Sequence, residues 1–273
     1  MKKLLLGILL LLSFSVLSAC GEEKDNADSG DKKEINIGAT SGPYADMVEK
    51  AIKPILEDKG YKVEVTEFTD YVQPNNALAE GSIDANLFQH KIYMESFAEQ
   101  NNIEISELIS VPTAPMGIYS NKFDSLEDIT DGATIAIPND PTNAARAFLI
   151  LKDAGLIEID EEADPLTVSD KDVTNNVKNL KFETIEAAQL PRAVDSVDLS
   201  AVPGNFALAA KMDLLDALQL ENMLDQYRNR VVVNTKDLDA TFAKDIKAAV
   251  ESPEFEKVID EEFEGFGKPE WMK

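Results

Sequence analysis

The only cysteine of this chain, Cys20, closes the run Leu17-Ser18-Ala19-Cys20 near the start of the sequence. Lys2 and Lys3 stand in front of an apolar stretch from Leu4 to about Val16, and small residues follow it. Charge, then hydrophobic stretch, then small-residue cleavage site is the order of a secretory signal. Residues 1–19 are therefore read as a signal peptide, cut after Ala19. The run from Leu4 to Ala19 falls short of the ~20 residues that span a bilayer. A single cysteine makes no disulfide within its own chain. Whatever folds beyond Cys20 therefore has no internal disulfide to hold it.

The next segment, Gly21 to Glu34, reads GEEKDNADSGDKKE. It has no aromatic residue and nothing aliphatic larger than Ala27, so it buries no core. Residues 20–34 are expected to be a disordered tether, with a mean reach of roughly 20 Å for a flexible chain of that length. The rest is long enough for one large domain or two lobes, and 44% hydrophobic content marks it as globular. The formal charge is −25, and loss of Lys2 and Lys3 takes it to −27. Such acidity argues against nucleic acid and against a polybasic grip on anionic lipid. Solubility is its simplest consequence.

From Glu34 onward, strand and helix signals alternate. Ile35 to Ala39 and Lys62 to Thr66 read as strands. Between them Tyr44, Val48, Ile52 and Ile55 recur at helical spacing, with Pro54 kinking the end. Asn75 to Glu80 is a short helix stopped by Gly81, Ile83 to Phe88 an apolar strand, and Lys91 to Gln100 a helix. This order predicts a mostly parallel sheet with helices on both faces. A second unit begins near Asn121. Its strands are Ala133–Ile137, Phe182–Ile185 and Leu199–Val202. Asp140-Pro141 opens a helix that ends at Gly155, since proline suits the first helical position. Ala187–Val194 and Phe206–Lys211 are further short helices. Val231-Val232-Val233 is a late strand, and a helical acidic tail follows. Two α/β units in one exported chain suit a binding protein with its ligand between lobes. The pattern suits an exported α/β enzyme equally.

Three segments carry more. They are Asp70-Tyr71-Val72-Gln73-Pro74-Asn75 with Ile83-Asp84-Ala85-Asn86-Leu87-Phe88-Gln89-His90-Lys91; Ile137-Pro138-Asn139-Asp140-Pro141-Thr142-Asn143 with Arg146; and Ala188-Gln189-Leu190-Pro191-Arg192 with Val202-Pro203-Gly204-Asn205. Together they resemble the NlpA family, the methionine-binding lipoproteins of ABC importers. The run before Cys20 resembles the lipobox of bacterial lipoproteins, whose cysteine thiol takes a diacylglycerol and whose freed amine takes a third acyl chain or none. Two or three chains anchor stably where one does not. The resemblance implies an α/β, two-lobed periplasmic-binding-protein fold, each lobe a mixed sheet flanked by helices. Lobe 1 would hold residues 35–117 and 230–273, and lobe 2 residues 118–229. The crossings between them are expected near Pro115–Asn121 and Tyr227–Val233.

The same resemblance implies methionine, L- and possibly D-, as ligand. Tyr71, Phe88, His90 and Tyr93 would form its side-chain pocket. Asn139, Asn143 and Arg146 would form part of the zwitterion site, with Asn205 and Asn229 helping. An importer permease and its ATPase are the implied partners, and a monomer lipid-anchored at Cys20 on the extracytoplasmic face of the cell membrane the implied state. No cofactor or metal is called for. The chemistry agrees: rings gain from a thioether, and a guanidinium can take a carboxylate with two parallel hydrogen bonds. The start of the helix at Pro141 would add backbone N–H groups beside Asn143. Other ligands remain open, namely another small amino acid or a methionine-containing dipeptide. So does an exported α/β hydrolase-type enzyme, although the chain has no GxSxG elbow, no Walker lysine and, with one histidine, no HExxH helix. A third class is a surface-interaction lipoprotein with a vestigial cleft.

Overall fold

Residues 32–273 are described by the computed structural model; the signal peptide, Cys20 and the tether through Asp31 lie outside them. β1 (Glu34–Thr40) passes through Gly42 into a long helical stretch. That stretch is α1 (Pro43–Met47), a π-helical turn (Val48–Ile52) and α2 (Lys53–Asp58). The wide turn has a local cause. Pro54 brings no N–H and its ring crowds the carbonyl one turn back, so the hydrogen-bond ladder shifts just before it.

Then come β2 (Lys62–Phe68), α3 (Gln73–Glu80), β3 (Ala85–His90), α4 (Lys91–Asn101) and β4 (Ile105–Ser110). Gly81 ends α3 in the left-handed conformation, φ 76°, as its position predicted. The chain then enters a second sheet with β5 (Gly117–Tyr119), β6 (Thr134–Pro138), α5 (Pro141–Asp153), the hairpin β7 (Ile157–Ile159) and β8 (Val173–Asn176), and β9 (Lys181–Ile185). It continues through α6 (Leu190–Ala193), β10 (Leu199–Val202), α7 (Gly204–Ala209) and β11 (Gln219–Leu220). Finally β12 (Asn229–Asn234) rejoins the first sheet, and α8 (Thr241–Val250) and α9 (Pro253–Glu262) pack on it.

The first sheet runs β2-β1-β3-β12-β4 and the second β11-β5-β10-β6-β9. Both are mixed and flanked by helices, the two-lobed α/β architecture that the family likeness implied. The first sheet is mostly parallel, as the order of its strands and helices predicts, with one exception. β1 is parallel to β2 and β3, but β12 is antiparallel to β3 and β4. The chain leaves at the end of β4 and returns at that same side, so β12 has to run against its neighbours. The crossings fall at residues 111–116 and 221–228, slightly before the expected segments. Gly117 already belongs to β5 and Asn229 to β12.

Each sheet has its own core. Ile35, Ile37, Leu87, Val231 and Val233 meet Ile52, Ile246 and Phe255 around the first. Ile118, Ile135, Ile137 and Leu199 meet Phe148 and Leu151 around the second. At ~25 cal/mol per Å² of apolar surface, these are the main source of stability. The sheets approach at two glycines. A Cβ on Gly42 would stand 2.9 Å from the Cβ of Ala209, and one on Gly204 would stand 2.4 Å from the carbonyl oxygen of Pro115. Only a hydrogen fits at either place.

Candidate functional site

In open α/β sheets ligands bind beyond the carboxyl ends of the strands. Here the carboxyl ends of β3 (His90), β6 (Pro138) and β10 (Val202) lead into the segments that line one narrow cavity. Tyr71, Phe88, His90, Tyr93, Asn143, Arg146, Asn205 and Asn229 all line it. Four stretches far apart in sequence therefore converge as the motifs implied.

Asn139 does not. Its backbone N–H donates to the Ile185 carbonyl at 2.9 Å, extending the β6–β9 ladder, and the residue is exposed. It stands one position before the residue that caps α5, outside the cavity. Of the N–H groups expected at the start of α5, that of Asn143 is claimed by the cap. The carboxylate of Asp140 accepts the Asn143 N–H at 2.9 Å and the Thr142 hydroxyl at 2.8 Å.

The apolar side of the cavity is a nest of rings. The centroid of Tyr71 lies 5.9 Å from those of Phe88 and Tyr93 and 4.9 Å from that of Phe206, across from the other sheet. The Tyr93 hydroxyl donates to the Tyr71 carbonyl at 2.9 Å, fixing one ring against the loop that carries the other. Burial raises the pKa of both phenols, so they act as neutral donors.

Behind the rings lies a buried amide cluster made by the Gln-Pro-Asn and Asn-Leu-Phe-Gln strings. The Asn75 amide donates to Gln89 at 2.8 Å, and the Asn86 amide donates to Asn75 at 3.0 Å. Gln89 donates in turn to Asn75 at 2.6 Å and Asn86 at 3.0 Å. The cluster fastens α3 to β3, and so the Tyr71 loop to Phe88.

His90 caps α4. Its Nδ1 accepts the Tyr93 N–H at 3.1 Å, so the proton sits on Nε2, which donates to the Asn143 Oδ1 at 3.2 Å. Burial, helped by the nearby Arg146 and Arg230, holds its pKa well below the usual histidine range. The imidazole is thus a neutral bridge between the sheets. Asn143 is fully engaged: its amide donates to Asp140 at 3.0 and 3.1 Å, and its Oδ1 also accepts from Arg146 Nη1 at 2.8 Å.

Arg146 carries the main surprise. Its Nε and Nη2 donate to Glu221, to Oε1 at 2.8 Å and Oε2 at 2.6 Å, and both side chains are buried. A guanidinium has five N–H donors. Two go to Glu221 and one to Asn143, which leaves two on a residue that lines the cavity. Glu221 escaped the sequence reading because nothing marks one acid among 51. Tyr44, Thr113 and Ala114 also line the cavity. Tyr44 read as one tooth of a helical stripe, and nothing in the sequence singled out the other two.

Two amides face the cavity with capacity to spare. The Tyr71 hydroxyl donates to Asn205 Oδ1 at 2.6 Å, which turns the Asn205 NH2 the other way. That NH2 is buried without any partner. Asn229 donates through Nδ2 to the Phe88 carbonyl at 2.9 Å, leaving its Oδ1 as an acceptor. Rings at one end, and amide and guanidinium donors with an amide acceptor at the other, suit an apolar side chain joined to a zwitterion. Among the described residues, no group of three or more His, Cys, Asp or Glu side chains could hold a metal, and no helix is long and apolar enough to cross a membrane.

Residues 35–271 match the family model described as NlpA lipoprotein. The methionine-binding lipoprotein MetQ of Bacillus subtilis is 34% identical over 97% of each chain. The D-methionine-binding lipoprotein MetQ of Escherichia coli is 33% identical over 96% of this chain and 95% of its own. Among solved structures, a nutrient binding protein from Burkholderia cenocepacia bound to methionine superimposes with a TM-score of 0.80 at 38% identity, covering 85% of this chain and 97% of that one. An ABC transporter periplasmic substrate-binding protein from Coxiella burnetii does so with 0.80 at 35%, covering 86% and 99%. The strings that meet at the cavity all lie inside the matched span, and with such matches over nearly the whole length the chain belongs to the NlpA lipoprotein family.

Proposed function

We propose that this protein binds methionine in the cavity between its two sheets and delivers it, unchanged, to an ABC importer. The observation that carries the reading is the pairing of ends within one cavity. Tyr71, Phe88 and Tyr93 offer rings, while Asn205 offers a buried NH2 that nothing in the protein satisfies. A buried donor without a partner is costly, and it is kept where a ligand completes it. The thioether would lie among the rings, where sulfur gains ~0.3–1.5 kcal/mol per contact. The carboxylate would take the Asn205 NH2 and the two spare N–H groups of Arg146. The ammonium would meet Asn229 Oδ1.

The lobes would be residues 35–116 with 229–273, and residues 117–228, one residue off the expected bounds at each crossing because Gly117 lies in β5 and Asn229 in β12. The ligand would touch both, and so favour the closed form by its greater affinity for it. Cys20, outside the described residues, would carry the lipid that anchors the chain to the extracytoplasmic face of the membrane, near the permease. The role is binding and not catalysis. Calorimetry on unfolded and refolded, ligand-free protein tests it: the expected result is micromolar affinity or better for a methionine enantiomer, about −8 kcal/mol. Absence of heat with both enantiomers, together with binding of a different amino acid or a dipeptide, would overturn the ligand.

A further inference from the structure

We propose that Glu221 sets the charge class of ligand that this cleft accepts: by neutralising Arg146 from behind the cavity, it admits carboxylates that carry their own ammonium and rejects monoanions of the same shape. The inference rests on the reading of the cavity as a zwitterion site.

Arg146 is the only lysine or arginine among the residues lining the cavity, and His90 beside it is neutral. No carboxylate lines the cavity. Taken alone, the lining would carry one positive charge and would attract any small carboxylate. Glu221 removes that charge. Its two oxygens grip Nε and Nη2 side-on, and its side chain is only 5% exposed.

Nor is Glu221 free to swing toward a ligand. Oε2 also accepts the Met116 N–H at 3.0 Å, and the Glu221 N–H donates to the Met116 carbonyl at 2.9 Å. The carboxylate is thereby tied to both crossings between the sheets. Nearby charges reinforce the effect. Asp140 lies just beyond Asn143, and Arg230 is already paired with Glu107 at 2.8 Å and Asp225 at 3.2 Å.

A carboxylate entering this site finds good hydrogen-bond donors but no surplus positive charge. A monoanion would lose its hydration without a compensating net field, whereas a zwitterion brings its own counter-charge. Hydrogen-bond geometry thus selects the carboxylate, and net charge selects the amino acid.

The test compares L-methionine with 4-(methylthio)butanoate, which has the same thioether and carboxylate but no ammonium. Calorimetry gives the ratio of their dissociation constants. Wild-type protein is expected to favour methionine by about 100-fold or more, and Glu221→Gln to shrink that preference by about tenfold, chiefly by gaining affinity for the anion. The double variant Arg146→Gln/Glu221→Gln, neutral again, should bind both more weakly and recover the preference. A Glu221→Gln variant that weakens both ligands in equal proportion would show a merely structural role and overturn the proposal. Should that variant not fold, the wild type still decides: anion binding within about tenfold of methionine refutes charge selection. Wild-type protein that binds neither methionine enantiomer would instead refute the zwitterion reading on which the proposal stands.

Discussion

The double substitution Tyr71→Phe/Asn205→Leu separates stability from binding. Asn205 is buried, its Oδ1 takes the Tyr71 hydroxyl at 2.6 Å, and its NH2 has no partner. An unsatisfied buried amide costs about 1–3 kcal/mol, while a paired hydroxyl and carbonyl contribute about 1. Replacing both by apolar groups of similar size removes the gain and the larger penalty together. The ligand-free double variant should be as stable as wild type, or more stable by about 1–2 kcal/mol. In the complex that NH2 would donate to a carboxylate, a contact worth about 1.5–3 kcal/mol. Its loss raises the dissociation constant roughly 10- to 150-fold. Urea unfolding of ligand-free protein and methionine calorimetry read the two effects separately. A variant that loses more than about 2 kcal/mol, or that binds within about threefold of wild type, would show that the NH2 is satisfied by the fold and is not reserved for a ligand.

Arg146→Ala should destabilise the ligand-free protein by about 3–5 kcal/mol in urea, because Glu221 is left buried without its partner; a loss under about 1 kcal/mol would mean the pair is solvated. Ligand-free protein should lose stability as pH falls from 7 toward 5. The folded pKa of His90 is held below the unfolded value, so acid adds a proton to the unfolded chain first. The slope from this group approaches about 1.4 kcal/mol per pH unit below the unfolded pKa, and His90→Asn should flatten it. An identical slope in the variant would remove His90 as the cause. Cys20→Ser should leave an unprocessed or mislocalised precursor, absent from alkaline-washed membranes, whose folded domain still binds ligand. Normal cleavage and membrane retention would sink the lipid-anchor reading.

Much of the fold was legible because its signals are local. Pro141 after Asp140 set the start of α5, Gly81 the end of α3, and small and β-branched residues the strand at 134–138. The short strands β5, β7, β8 and β11, two to four residues each, left no periodicity to read. The site was legible where a string is long, as at Phe88-Gln89-His90-Lys91. Asn139 failed because adjacency in a string does not place a side chain in a cavity. Its neighbour Asp140 turned out to cap the helix, a task any helix start with those residues would perform. Glu221 lies 75 residues from Arg146, and only the fold brings the residue after β11 against α5. Pairings of that kind are products of topology, without a sequence signature.

Methionine as the ligand of the cleft is tested most directly by the molecule the protein carries when isolated. Freshly purified protein, denatured without prior ligand removal, should release intact methionine close to one per chain by mass spectrometry, and the refolded protein should recapture it unchanged. Release of a different metabolite at that stoichiometry, or conversion of added methionine to a product, would contradict it.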